Sequence, residues 1–409
     1  MPRRSVSRVL AGIPGGPQVV PYAGHGPRAG HAAPPAGVAA GAAVPPLAGA
    51  LTRHWQPPFP LDWSRTLAVH RHGRGDPAYL VDAYGAAWRT SLTPDGPATM
   101  RVHAVPTRGT GRAVPAGDAG SATPGGDAGS TVPGGDAGIT VPGGDAGSTV
   151  PSGEAGSATP GGEGRRLTVC ASAWGPGAAW LLGTLPGLLG AADDPSGFEP
   201  VHPLLEEMSR RHHALRIGRS DRVFEALIPA VLEQKVVGAE AKRAWRLLLL
   251  RFGDPAPGPA PPGMRVCPPP RTWVRIPSWE WHRAGVELVR ARTIIGAARV
   301  AGRLEEITAM TPAEADRRLQ TLPGVGPWTS AEIRQRAIGD PDALSVGDYH
   351  LPSIVGWALI RQKVDDAGMC ELLAPYAGHR YRAAWLLELS GQGPPRHGPR
   401  NAPRDYRRI

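Results

Sequence analysis

Cysteine, lysine and long apolar runs are all scarce in this 409-residue chain, and each scarcity removes a class of function. Cys170, Cys267 and Cys370 stand far apart, with no CxxC pair. A disulfide framework, a zinc ribbon and a four-cysteine iron–sulfur site are excluded by count or spacing. The thiols read as reduced, buried cysteines of a reducing compartment. The longest apolar stretch, 178–192, is interrupted by Pro186 and is too short to span a bilayer. The first residues carry Arg3, Arg4 and Arg8, but Gly and Pro break residues 10–17 before a signal-peptide core can form. A soluble, cytoplasmic protein is expected. Only three lysines occur, Lys235, Lys242 and Lys363, so the net charge of +10 is carried by arginine. Arginine's planar fork suits phosphate oxygens, and nucleic acid is the first expected partner.

What is abundant is glycine and proline, 55 and 47 residues, about a quarter of the chain. They concentrate in stretches that cannot build a core. Residues 1–54 form an Ala/Gly/Pro-rich arm expected to be disordered. Within 107–164, Pro124-Gly-Gly-Asp127, Pro133-Gly-Gly-Asp136 and Pro142-Gly-Gly-Asp145 recur every nine residues. Calcium-binding β-roll repeats share that period but need an apolar residue in each turn, which is missing here. The repeat therefore reads as a flexible acidic insertion. It holds two basic and six acidic side chains, net −4 against +10 for the whole, so the rest of the chain carries +14. A basic tail, 393–409, contains Arg396, Arg400, Arg404, Arg407 and Arg408 and would add salt-sensitive affinity for DNA.

The remaining sequence predicts an α+β protein. Leu61–Leu67, Tyr79–Trp88, Thr99–Val105 and Leu167–Ala173 read as short strands between Gly, Pro and Asp turns. With helices near Ala178–Leu182 and Leu204–His212, they predict a small antiparallel sheet domain over 55–106 and 165–200. An all-helical domain follows over 201–392. Ser220 or Asp221 is placed to cap a helix through Phe224, Leu227, Ile228, Val231 and Leu232, which Pro229 should kink or delay. A second helix, Ala239–Phe252, ends at Gly253. Pro255–Pro270 reads as a loop, and helices resume at Trp279–Ala284 and Val286–Arg303.

One constellation carries chemistry. Thr311-Pro-Ala-Glu314 is a capping box with proline at the first helical position, and its helix stops at Leu322-Pro-Gly-Val-Gly326. Pro327 opens the next helix. The result is a tight hairpin whose glycines bring backbone amides close to an outside anion, beside a helix N-terminus. An ordinary helix–helix turn has the same local pattern. Asp348 lies 22 residues past Gly326 in Leu344-Ser-Val-Gly-Asp348-Tyr-His-Leu351. As a bare pattern, Asp348 would also serve as a helix N-cap.

LPGVGPWTSAEI followed by SVGDYHL resembles the helix-hairpin-helix "GPD" motif of the DNA glycosylase superfamily, and within it the 3-methyladenine DNA glycosylase II branch. Residues 215–236 and 283–305 extend the likeness. The resemblance implies hydrolysis of the N-glycosidic bond of a flipped-out alkylated purine in double-stranded DNA, by a monomeric, nucleoid-associated enzyme. Asp348 would be the catalytic carboxylate; Leu322, Gly324, Val325, Gly326 and Thr329 would hold DNA phosphate. Lyase branches carry lysine where this chain has Trp328, which implies hydrolysis without strand cleavage. Trp328 would line the base pocket with Glu332, which stands where the best-known member has tyrosine. Gln234 and Lys235 would contact DNA, Lys235 replacing an apolar wedge. No cofactor is expected, and a monovalent cation at the hairpin stays open. Trp273, Trp279 and Trp281 are expected as core or docking residues, and His350 as a structural residue. Two other readings remain: a non-catalytic binder of damaged DNA, and a glycosylase for oxidised or deaminated bases.

Overall fold

The computed structural model describes residues 49–107 and 167–395. The acidic repeat, most of the N-terminal arm and most of the basic tail fall outside these residues. Five antiparallel strands form the N-terminal sheet: β1 Leu51–Trp55, β2 Tyr79–Val81, β3 Ala87–Thr93, β4 Gly96–Pro106 and β5 Leu167–Trp174. Their order is β1-β5-β4-β3-β2. The β4–β5 ladder runs from Thr99 opposite Trp174 to Pro106 opposite Leu167, so the repeat-bearing segment joins two adjacent strands.

The sheet is covered on both faces, which is why β3 does not alternate between buried and exposed. One face, with Met100, Val102, Val169 and Ala171, packs on α1 (Trp63–Ala68) through Leu67. It also packs on α2 (Ala178–Leu188) through Leu181, Leu185 and Leu188. The other face carries a stacked pair, Trp88 and Trp174, 5.5 Å between ring centroids, packed with Met264.

Three sequence expectations fail here for physical reasons. Leu61–Leu67 is not a strand: Asp62 accepts from the Arg65 amide at 3.1 Å and caps α1. Tyr79–Trp88 is two strands, because Asp82 accepts from the amides of Tyr84 and Ala86 and closes a turn through Gly85 (φ +77°). The arm expected over 1–54 gives up Leu51–His54 to β1, held by its ladder with β5.

Helices α3 Pro203–Arg211, α4 Val223–Leu232, α5 Gly238–Phe252, α6 Pro270–Arg275, α7 Ser278–Ala284, α8 Leu288–Arg299 and α9 Ala301–Glu305 follow. They continue with α10 Pro312–Gln320, α11 Pro327–Ala337, α12 Leu351–Ile360, α13 Asp366–Leu373 and α14 Arg380–Leu389. A two-residue antiparallel pair, Asp254–Pro255 with Arg265–Val266, flanks the proline-rich loop, so this region is not wholly helical. Helix α4 runs through Pro229 and starts at Val223. Neither Ser220 nor Asp221 caps it. Glu305 does, accepting from the amides of Val223 (2.8 Å) and Phe224 (3.2 Å).

The helices form two cores. The first joins α4 through α11 around Leu227, Leu248, Trp273, Trp281, Ile294 and Ile333; the second joins α3, α12, α13 and α14. Of the tryptophans expected as core or docking residues, Trp273 and Trp281 are buried and Trp279 is exposed. The sheet is tied to the first core by Glu225, which pairs with Arg89 (2.8 Å) and accepts from Ser91 Oγ (2.8 Å). The segment 344–351 crosses from α11 to the second core and carries Asp348.

Candidate active site

Helices α10 and α11 and the turn between them form the hairpin. Thr311 accepts from the Glu314 amide, and the Glu314 carboxylate accepts from the Thr311 amide at 2.9 Å, completing the capping box. The Val325 amide closes the turn on the Leu322 carbonyl at 3.0 Å, and the Val325 side chain is buried in the first core. Arg334 pairs with both Asp340 and Asp316, and Ser330 Oγ donates to Asp316 at 2.6 Å, locking α11 against α10. Gln234, expected on DNA, braces the turn instead: its amide nitrogen donates to the Gly324 carbonyl and to Thr329 Oγ1, both at 2.8 Å. Thr329 is buried by the same contact. Lys235 beside it is exposed in the left-handed region at φ +54°.

Gly324 is irreplaceable on two counts. Its φ is +87°, and a Cβ there would lie 2.1 Å from Thr293 Oγ1 on α8. Gly324→Ala is expected to destabilise the protein by about 2 kcal/mol or more, from left-handed strain and the clash together. Thermal melting checks this, and Thr293→Ser, which keeps the offending oxygen, should not rescue it.

Asp348 is held at three points. Its Oδ1 accepts from the amides of His350 (2.7 Å) and Leu351 (2.8 Å) at the start of α12, and Oδ2 accepts from Trp328 Nε1 at 3.1 Å. Amide donors and a helix start both complement a negative charge. Gly347 (φ +95°) donates to Asp366 at 3.0 Å and anchors the loop to α13. Half-buried Trp328 and Asp348 thus form one unit at the head of α11, with Tyr349 and His350 exposed at its rim. Tyr349 is 87% exposed, an unusual position for a large aromatic ring.

Glu332 does not stand free in this site. Its carboxylate accepts from Ser345 Oγ at 2.6 Å and pairs with Arg336 at 2.7 Å. Ser345 Oγ in turn accepts from Gln335 Nε2 at 2.9 Å, so Glu332 buttresses the segment leading to Asp348.

Around this buttress lie groups that sequence reasoning missed. Burial pushes the Glu233 carboxyl, at the C-cap of α4, up to about 7; Arg336 opposes the shift and Glu332 and Asp348 add to it. On α14, Glu388 is reached by water, yet enough protein surrounds its carboxyl to push it up to about 8, and the negative charges of Glu332 and Asp348 add to that. Burial also raises the Tyr381 phenol. From the N-terminal domain come His70 and His72, both held neutral. Burial and then the charges of Arg89 and Arg336 push His70 well down; burial, Arg336 and Arg89 bring His72 to about 3. Their loop is pinned to α5: His72 meets Trp245 edge-on at 5.3 Å, and Asp76 accepts from Trp245 Nε1 at 2.8 Å. The one signal available in sequence is that Glu233 and Glu388 are lone charges inside apolar helical runs.

Among the described residues, no group of three or more His, Cys, Asp or Glu gathers in a metal-ligating arrangement, and no helix is long and apolar enough to cross a membrane.

No protein-family model matches the chain. A DNA-3-methyladenine glycosylase of Bacillus subtilis is 28% identical over 153 residues, 36% of this chain and 50% of that protein. The chain therefore spans about half the length of the curated relative it matches. The solved 3-methyladenine DNA glycosylase of Archaeoglobus fulgidus superposes with a TM-score of 0.55 at 14% identity, covering 83% of this chain and 98% of that one. An 8-oxoguanine glycosylase/lyase of Clostridium acetobutylicum, solved with double-stranded DNA containing cytosine opposite 8-oxoguanine, gives 0.52 at 9% identity, covering 83% and 97%. At such identities the likeness is one of fold.

Proposed function

We propose that this chain, which has the α+β fold of the helix-hairpin-helix DNA glycosylases, is a monofunctional base-excision glycosylase that hydrolyses alkylated purines from double-stranded DNA. The observation that carries the reading is the Trp328–Asp348 hydrogen bond: the hairpin's own helix presents an indole to orient the carboxylate. The amides of Gly324 and Gly326 and the first turn of α11 meet a DNA phosphate, which sets the register of the duplex. The damaged nucleotide is rotated out of the stack towards Asp348. As the C1′–N bond lengthens, positive charge grows on the sugar, and the Asp348 carboxylate stabilises it electrostatically. Water then adds to C1′ and gives its proton to the same carboxylate. An N-alkylated purine carries positive charge before the bond breaks, so it leaves without a proton donor. The Trp328 face stacks on that electron-poor ring.

The test is release of free base from duplexes carrying 3-methyladenine or 7-methylguanine. No release of either overturns the assignment. The position at which lyase branches carry lysine is held by Trp328, which supplies no amine to attack the sugar. Borohydride added during turnover is expected to trap no covalent protein–DNA complex, and the product strand should remain uncut until treated with alkali.

A further inference from the structure

We propose that a pocket between α3, the 212–216 segment and α14 binds a phosphate group, the counter-ion that Arg216 lacks. It shares no residue with the Trp328–Asp348 unit and does not rest on the glycosylase reading. The sequence there is Arg210-Arg-His-His-Ala-Leu-Arg216, three arginines and two histidines in seven residues. Helix α3 ends at Arg211, and the chain then turns inward, burying Leu215, Arg216 and Ile217. Arg216 is only 7% exposed. Its Nη1 donates to the carbonyls of His213 (2.7 Å) and Leu215 (2.9 Å), and its Cζ sits over the Phe59 ring, 4.9 Å from the centroid. Its Nε and Nη2 make no hydrogen bond among the described residues but are not cut off from solvent. A guanidinium cannot shed its charge, and a buried charge without an ionic partner is strongly destabilising.

Arg216 lines a cavity of about 70 Å³ together with Arg382, His212, Ser209, Phe198 and Trp385. No Asp or Glu of the described residues lines it. The carboxylates nearby are engaged elsewhere. Asp193 holds Arg382 and accepts from the Ile217 amide at 3.0 Å, and exposed Asp194 turns to the Ser196 amide at 2.9 Å. Burial works against the Arg216 cation; Asp193 offsets part of this and Arg382 adds to it. Two guanidiniums therefore face one buried carboxylate that bonds only Arg382.

The other polar groups of the pocket are donors as well. Arg65 Nη1 lies 3.0 Å from His212 Nδ1, and arginine can only donate, so Nδ1 accepts and the His212 proton sits on Nε2. The Ser209 hydroxyl makes no hydrogen bond among the described residues. Two guanidiniums, an imidazole N–H and a hydroxyl around one small cavity match the several acceptor oxygens of a phosphate. The cavity suits a group of a few heavy atoms and not a nucleoside. Bound there, the phosphate ties the 212–216 segment to α14.

The experiment is a thermal melt of the full chain in inorganic phosphate against chloride at equal ionic strength, for the wild type, Arg216→Met and Ser209→Asp. Phosphate also stabilises proteins in general by exclusion from their surface, so the reading is the difference between wild type and variants. At about a hundred times Kd, phosphate should raise the wild-type melt by about 5 °C beyond chloride. Arg216→Met keeps an apolar stem, removes the charge and should lose most of that rise. Ser209→Asp brings a carboxylate into the pocket. It should melt higher than the wild type without phosphate and gain little more from it, which keeps the test decisive if Arg216→Met does not fold. A second arm measures affinity for undamaged duplex DNA. A fall of about tenfold in both variants, with phosphate competing, identifies a DNA backbone phosphate as the source. Unchanged affinity identifies free phosphate. An equal rise in all three proteins, no wild-type rise beyond chloride, or a Ser209→Asp chain that melts below the wild type without phosphate would each overturn the site.

Discussion

Asp348→Asn is expected to cut the rate of alkyl-purine release by about 10³-fold, the scale of removing one preorganised electrostatic group from a transition state. The substitution keeps the volume and removes the charge, so a growing cation at C1′ meets a dipole in place of an anion. It also removes the acceptor for the water's proton. Asparagine does not fit silently, however. Asp348 accepts on both oxygens, two amides at one and an indole N–H at the other. An amide has one accepting end, so in either orientation its NH₂ faces a donor. The variant should therefore also lose about 1 kcal/mol of stability, one hydrogen bond left unmade at a half-buried site. Binding to damaged duplex is expected to hold or tighten, because a negative charge near the phosphates has gone. Single-turnover rates, duplex affinity and a melt on the same preparation separate these effects. A rate within tenfold of the wild type would remove Asp348 from the chemistry.

The hairpin was legible in the sequence because its determinants are contiguous. A capping box, Pro327 and the two glycines fix the helix ends within a few residues, and in the structure the two helices start at Pro312 and Pro327. Asp348 was legible for the same reason: its donors are the amides two and three residues on. What escaped depends on distant partners. Strand β1 exists through its ladder with β5, more than a hundred residues away. The start of α4 is set by Glu305, and Ser220 and Asp221, which have the right chemistry nearby, are bypassed. Local polarity named Gln234 as a DNA contact but gave no sign that its amide nitrogen would brace the hairpin at Gly324 and Thr329, some ninety residues away. The titratable cluster of Glu233, Glu388, His70 and His72 comes from three separate stretches of chain. No spacing rule can assemble such a set, because only packing makes its members neighbours.

The largest stability effect is expected where the sheet domain grips α14. Asp193, just after α2, has a fully buried side chain; it pairs with Arg382 of α14, whose side chain is only 8% exposed. It also accepts from the Ile217 amide at 3.0 Å. Asp193→Ala removes the carboxylate and leaves both donors behind. Arg382 then keeps only the ring nitrogen of His379, at 3.3 Å, as a partner for a buried positive charge. Breaking a buried pair from one side typically costs about 3–5 kcal/mol, far more than the pair contributes net, because the surviving charge cannot regain its hydration. In a domain of this size that corresponds to a fall of about 10 °C in melting temperature. Asp193→Asn should cost less, since its carbonyl still accepts from Ile217 or from Arg382. The double variant Asp193→Ala/Arg382→Met should recover most of the loss, because the stranded charge is gone and an apolar chain of similar length fills the space. Thermal melts of the three variants decide the matter. If the double variant melts no higher than Asp193→Ala, the cost lies in the Ile217 contact and not in the buried charge.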